Sequence, residues 1–161
     1  VLMQLNSKFS FKELLYNSSS TSAVLVSKSS ISYIIVSESE LIKNNVDILF
    51  GNEEEICAMT NSTSIEEGIQ YAKSLNIIVA ITLAEKGSLI IKNNTVTEVP
   101  AMNVDKVIDT TGAGDLYAAG FLYGMARSKN YEECGHLASI AAAEIISHYG
   151  ARPLVKLKDL I

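Results

Sequence analysis

Tryptophan is absent from the 161 residues, and proline, cysteine and histidine occur only twice each. Cys57 and Cys134 stand far apart, and neither belongs to a C-x-x-C pair. That spacing argues against a disulfide framework or a cysteine zinc site and suits a reducing cytoplasm, the expected location. His136 and His148 show no metal-ligand spacing and are read as structural. Lysine and arginine nowhere cluster and the formal net charge is −5, so no nucleic-acid partner is expected. No uncharged apolar run reaches the ~18 residues of a membrane span, and no signal peptide is visible. The chain opens at Val1 rather than at a methionine, so its start is expected to lie upstream. What is present is 48% hydrophobic residues, enough for one domain with a real core.

The chemistry concentrates in Asp109-Thr110-Thr111-Gly112-Ala113-Gly114-Asp115. An apolar, small-residue run with helical spacing follows, from Leu116 to Ala126. A glycine turn that opens a helix presents backbone N–H groups without intrahelical partners, and the helix dipole adds positive potential there. Glycines let that backbone approach a phosphate closely. Asp115 falls in the first turn. It is either a dipole partner or a carboxylate placed to take a proton from an attacking hydroxyl, as phosphoryl transfer requires.

Taken in order, Val1 to Leu5 reads as a strand and Phe9 to Tyr16 as a helix, with Ser10 and Glu13 at capping-box spacing. Asn17 to Ser22 reads as a polar connector and Ala23 to Ser27 as a buried strand. Ile31 to Asn44 is ambiguous and read as helical. Val46 to Phe50 is a strand, and Glu53 to Thr60 a helix. Ser64 to Leu75 is a second helix, with Ser64 capping and Glu67 at the box position. Ile77 to Leu83 is a near-continuous apolar run, which fits a strand covered on both faces. Glu85-Lys86-Gly87 turns into strand Ser88 to Lys92. Asn93-Asn94 signals a hairpin into Thr95 to Val99, which Pro100 ends. Helices are expected from Ala113 to Ser128 and from Tyr131 to Tyr149, the latter closed by Gly150 at C′ with Pro153 beyond. Alternating strands and helices make the class α/β, with a largely parallel sheet.

Asn52 and Glu55 follow a strand end, where ligands bind in open α/β sheets. They could hold a hydrated Mg²⁺ against phosphate oxygens, or merely begin a solvated helix. The segment Thr82 to Gly87 is open to reading as a plain hairpin entry, and Asp109 as a turn residue.

The heptapeptide resembles the Asp-Thr-x-Gly-Ala-Gly-Asp signature of the ribokinase-like (PfkB) carbohydrate and nucleoside kinases. Asn52-x-x-Glu55 resembles that family's Asn-x-x-Glu motif. Thr82-Leu83-Ala84-Glu85-Lys86-Gly87 is similar to its Thr-Leu-Gly-x-x-Gly nucleotide loop, with Ala84 departing from the glycine. The ending Gly150-Ala151-Arg152-Pro153 is similar to its Gly-Ala-x-Pro.

The resemblance implies a ribokinase-like fold, mostly parallel sheet flanked by helices, as one partial nucleotide-binding domain over 1–161. It lacks the N-terminal half and the β lid that carry the acceptor determinants. Asp115 is implied as catalytic base, with Gly112, Ala113 and Gly114 as the anion hole. Asn52, Thr82, Gly87 and Ser139 are implied as nucleotide-binding. Asn52 and Glu55 are implied for Mg²⁺ through water, and Asp109 and Thr111 for a monovalent cation such as K⁺, with a carbonyl near Gly150 as a third ligand. ATP is the implied co-substrate. The partner is a small nucleoside or sugar, with no nucleic acid and no membrane. The sequence looks most like bacterial adenosine-kinase-like members, so adenosine is the expected acceptor.

The alternatives are a non-catalytic, truncated nucleotide-binding remnant, or a kinase for a sugar such as ribose or fructose. A dinucleotide-binding oxidoreductase is disfavoured because Tyr117 stands where the fingerprint wants Gly or Ala. A Walker-type kinase is disfavoured because no Gly-Lys-Ser/Thr occurs. A cut at the N-terminal side is expected to expose Val1–Leu5 or Ala23–Ser27 as an unpaired edge and to favour a homo-oligomer.

Overall fold

A computed structural model describes residues 2–5, 13–15, 24–26, 42 and 46–160. Its strands are β1 (Leu2–Leu5), β2 (Glu13–Leu15), β3 (Val24–Val26), β4 (Val46–Asn52), β5 (Ile78–Thr82), β6 (Ser88–Lys92) and β7 (Thr95–Val99). Its helices are α1 (Glu53–Thr60), α2 (Ile65–Ser74), α3 (Ala113–Met125) and α4 (Tyr131–Ile146). Single 3₁₀ turns lie at Ala84–Lys86 and Leu157–Asp159. The chain divides into two compact units, Val1–Ile81 with Ile91–Val96, and Thr82–Ile90 with Thr97–Ile161.

All seven strands contribute residues to the first unit, and the sheet order is β2-β3-β1-β4-β5-β6-β7. β1 and β3 are parallel, whereas β1–β4 and β2–β3 are antiparallel. The α/β class holds, and the sheet is mixed. Val46, Ile48, Leu49 and Phe50 of β4 are all buried, as are Ile78 to Ile81 of β5. Consecutive buried apolar residues mean that both faces of these strands are covered. Ile56 of α1 and Ala72 of α2 complete this core.

The second unit is built on α3 against α4. An added Cβ at Gly120 would lie 2.7 Å from the Leu137 carbonyl oxygen, and one at Gly124 would lie 2.9 Å from Cys134 Sγ. Two glycines one turn apart thus let the helix backbones close on each other. Phe121, Cys134, Ala138 and Ile145 are fully buried there. The buried Tyr117 hydroxyl donates to Ser88 Oγ at 2.7 Å. Burial pushes the Tyr117 phenol up to about 12, the Ser88 contact opposing that rise.

Several local expectations are corrected. Residues 13–15, expected within a helix, form β2, because Leu14 pairs with Leu25 of β3, a long-range partner that overrides the local capping pattern. The rest of that segment and the connector 17–22 lie outside the described residues. So does the ambiguous stretch 31–44, apart from Ile42, which is helical and fully buried. Ser64 stands at the N-cap of α2 without capping it: its hydroxyl donates to the Glu66 carboxylate instead.

α3 ends at Met125, not Ser128. Lys129 N–H donates to Gly124 O at 3.1 Å and Ser128 N–H to Met125 O at 3.0 Å, with Ser128 left-handed at φ +56°. This is a Schellman closure. α4 ends at Ile146 with Ser147 as C-cap, so Gly150 is not its C′ residue. Among the described strands the outermost are β2 and β7, so neither β1 nor β3 is the sheet edge. Cys57 and Cys134 are free thiols, as expected.

Candidate active site

Gly112 is the N-cap of α3 and adopts φ +83°, a left-handed turn that aims the first helical amides outward. A Cβ there would also meet Ala151 Cβ at 3.0 Å. The Ala113 N–H donates to Thr110 O at 3.1 Å, and Leu116 N–H donates to Gly112 O at 2.9 Å. The Gly114 and Asp115 amides have no hydrogen-bond partner among the described residues. The space beside Gly114 is open, since an added Cβ would meet nothing within 4 Å. The amides available to an anion are therefore those of Gly112, Gly114 and Asp115, while that of Ala113 is already committed. Asp115 is exposed in the same first turn.

The approach to this turn is braced. Asp109 Oδ1 accepts from Thr111 N at 2.9 Å and from Thr111 Oγ1 at 2.7 Å. Asp109 Oδ2 accepts from Gly150 N at 3.1 Å. The Thr111 hydroxyl first, then the Thr111 and Gly150 amides, hold the Asp109 carboxyl below the usual carboxylate range. Ile108 N–H donates to Ile146 O at 2.8 Å, tying the loop to the end of α4. The Asp109 carboxylate thus joins Thr111 to the Gly150 amide. In this arrangement the Thr111 hydroxyl gives its proton to Asp109 and would have to turn to face a cation.

Thr82 ends β5, half-buried, and the loop after it closes on itself through Leu83 N–H to Gly87 O at 2.8 Å. Gly87 has φ +97°, and a Cβ there would lie 2.1 Å from Val99 O. Only glycine fits. Ala84, at the position where the resembled loop has glycine, is left-handed at φ +50°. The backbone keeps a glycine-like turn although the residue has changed.

Asn52 and Glu55 belong to the first compact unit. Glu55 N–H donates to Asn52 Oδ1 at 2.8 Å, and Asn52 N–H donates to Glu55 Oε2 at 2.9 Å. The pair is a reciprocal capping box that starts α1. The signal was in the sequence: Asn-x-x-Glu has the spacing of Ser10/Glu13 and Ser64/Glu67. Asn130 and Glu133 make the same box at α4. Among the described residues no three His, Cys, Asp or Glu side chains group to hold a metal. The oxygens of Asn52 and Glu55 suit Mg²⁺ in chemical type, and two side chains would leave it mostly hydrated.

Ser139 is 6% exposed within α4 and lines neither of two clefts in the second unit. The larger cleft, about 490 Å³, is lined by the segment Met102 to Lys106, Ile108 and α4 residues Ile140, Ala143 and Glu144, among others. Nothing in the composition of residues 102–108 announces a cleft.

The sequence profile of the pfkB family carbohydrate kinases matches residues 14–157. The chain belongs to the pfkB family. An uncharacterized sugar kinase of Archaeoglobus fulgidus is 40% identical over 114 residues, covering 70% of this chain and 45% of that protein. The adenosine kinase from Sinorhizobium meliloti matches in structure with a TM-score of 0.72 and 38% identity, over 76% of this chain and 38% of that one. A double mutant of the fructokinase from Vibrio cholerae O395, bound to fructose, ADP and potassium ion, matches with a TM-score of 0.59 and 32% identity, over 65% of this chain and 36% of that one. The fold is ribokinase-like, and the chain spans less than half the length of these pfkB relatives. No helix among the described residues is long and apolar enough to cross a membrane.

Proposed function

We propose that the chain is the nucleotide-binding part of an ATP-dependent phosphotransferase, one partial domain that moves the γ-phosphoryl group of ATP to a nucleoside or sugar hydroxyl. The observation that carries this is the left-handed Gly112 turn, which leaves the Gly114 and Asp115 amides open beside the exposed Asp115 carboxylate. Open amides at a helix start stabilise negative charge on a phosphoryl group, with donors fixed in advance. Asp115 takes the proton from the acceptor hydroxyl as that oxygen attacks. The Thr82–Gly87 turn and the cleft behind residues 102–108 supply surface for the nucleotide. Asn52 and Glu55 would order a hydrated Mg²⁺, which screens phosphate charge when bound. Asp109 and Thr111 would face K⁺, an ion that the fructokinase structure holds. The structural match to an adenosine kinase supports adenosine as the acceptor, and the matches to a ribokinase and a fructokinase support ribose or fructose as the competing reading.

In a chain of full family length, Asp115→Asn is expected to lower kcat by roughly 10²–10⁴-fold while leaving ATP affinity nearly unchanged. Steady-state kinetics with adenosine, ribose and fructose, beside ATP titration by calorimetry, test this. A kcat within about threefold of the parent removes Asp115 from the chemistry.

A further inference from the structure

Glu144 belongs to none of the sequence motifs, although it lines the cleft beside residues 102–108. It lies in the last turns of α4 with its side chain 9% exposed. Its Oε1 accepts from the Leu154 amide at 2.8 Å and faces His148 Nε2 at 3.2 Å. Its Oε2 is buried with no hydrogen-bond partner. A buried polar oxygen without a partner costs stability, which an apolar residue of similar size would avoid. A carboxylate at this position therefore has to do something else.

What it touches brackets Gly150. His148 lies two residues before that glycine and Leu154 four after. Between them, the Gly150 amide donates to Asp109 Oδ2 at 3.1 Å. Ala151 packs so closely on Gly112 that a Cβ at Gly112 would come within 3.0 Å of it. Asp109 in turn orders Thr111 through two hydrogen bonds. Within the segment from 148 to 154, the His148 side chain is 14% exposed, whereas Tyr149 is 83% exposed and Leu154 74%.

We infer that Glu144 is a positioning residue for the anion loop. It latches residues 148–154, and that segment holds Asp109 and Gly112 in the conformation that leaves the Gly114 and Asp115 amides open. The inference rests on the phosphate-binding reading of this loop given above.

Three variants test it in the 161-residue chain. Glu144→Ala removes the latch. Leu154→Pro removes the N–H that Glu144 holds, at an exposed residue, and also fixes φ there. Leu154→Ala keeps that N–H and is the control. The readouts are amide hydrogen exchange at Thr111 and Gly150 by NMR, without ligand, and Kd for Mg·ADP. Glu144→Ala and Leu154→Pro are expected to speed exchange at both amides by about tenfold or more and to weaken Mg·ADP by a similar factor. Leu154→Ala should do neither, and exchange in β4 and β5 should stay slow throughout. If Glu144→Ala does not fold, Leu154→Pro decides. Unchanged exchange at Thr111 and Gly150 in Leu154→Pro overturns the latch. Faster exchange with unchanged Mg·ADP affinity reduces it to a structural clamp and overturns the positioning role. A parent chain that fails to bind Mg·ADP sinks the nucleotide reading, and the exchange rates still decide the latch.

Discussion

At Gly114 an added side chain would meet open space, whereas at Gly87 it would collide with the Val99 carbonyl oxygen 2.1 Å away. The two glycines therefore answer to different demands. Gly114→Val is expected to leave thermal stability nearly unchanged, as at other unobstructed surface sites, within about 0.5 kcal/mol. It should still weaken Mg·ATP binding and turnover, because a branched side chain would cover the amides an anion needs. Normal KM and kcat would mark the turn as structural only. Ala84 presents the opposite case, a side chain held at φ +50°. Left-handed backbone costs an L-residue roughly 1–2 kcal/mol, and glycine gives back about 0.4–1 kcal/mol through a freer unfolded chain. Ala84→Gly is expected to stabilise by about 0.5–1 kcal/mol, read as a higher urea midpoint; a lower midpoint would show that the turn carries no strain. Asp109 adds a pH dependence. Its carboxyl is held below the usual range, so its support of the loop is present above the unfolded-chain value and is lost as pH falls through the lowered one.

Between α3 and α4 the contact is backbone against backbone. A methyl on Gly120 would sit 2.7 Å from Leu137 O and 2.8 Å from Ala138 Cα, neither of which can swing aside. Gly120→Ala gains helix propensity, about 1 kcal/mol, yet is expected to destabilise overall by roughly 1–3 kcal/mol, because the helices must part. Chemical denaturation measures this; an unchanged or raised midpoint would mean that the interface yields. Elements of this kind were legible in the sequence because their signals are local. The Asn93-Asn94 hairpin appears where expected, with both residues left-handed at φ +48° and +66°. β2 was not legible, because residues 13–15 become a strand only by pairing with β3. The end of α4 was misplaced because Gly150 looks like a terminator, while its amide is spent on Asp109. At the site, the glycine turn that opens a helix at Gly112 could be read from the residues, and a turn role for Asp109 was one of two readings they left open. That Ala113 gives its amide to Thr110 could not, since it depends on how tightly the turn closes.

On the scale of the molecule, the compact units do not follow the chain. Each consists of two stretches, with changeovers inside or beside β5, β6 and β7. The putting together of donor and acceptor is a whole-protein property, and this chain covers 45% of the sugar-kinase relative's length. The 161 residues alone are expected to bind Mg·ATP weakly and to phosphorylate neither adenosine nor a sugar, since holding two reactants in line supplies ~7–11 kcal/mol of a barrier. Coupled-enzyme assays of ADP release, with adenosine, ribose and fructose each in excess, check this. Adenosine-dependent release at the rate of a full-length relative would show that the acceptor is held within these residues.

The left-handed Ala84 also has a meaning for the gene. Alanine and glycine codons differ by a single base at the middle position, so the resembled family's glycine is one transversion away. A mutagenised library selected only for heat resistance should return that change early and repeatedly. Its failure to return would indicate, as a lower urea midpoint would, that the turn carries no strain for glycine to relieve.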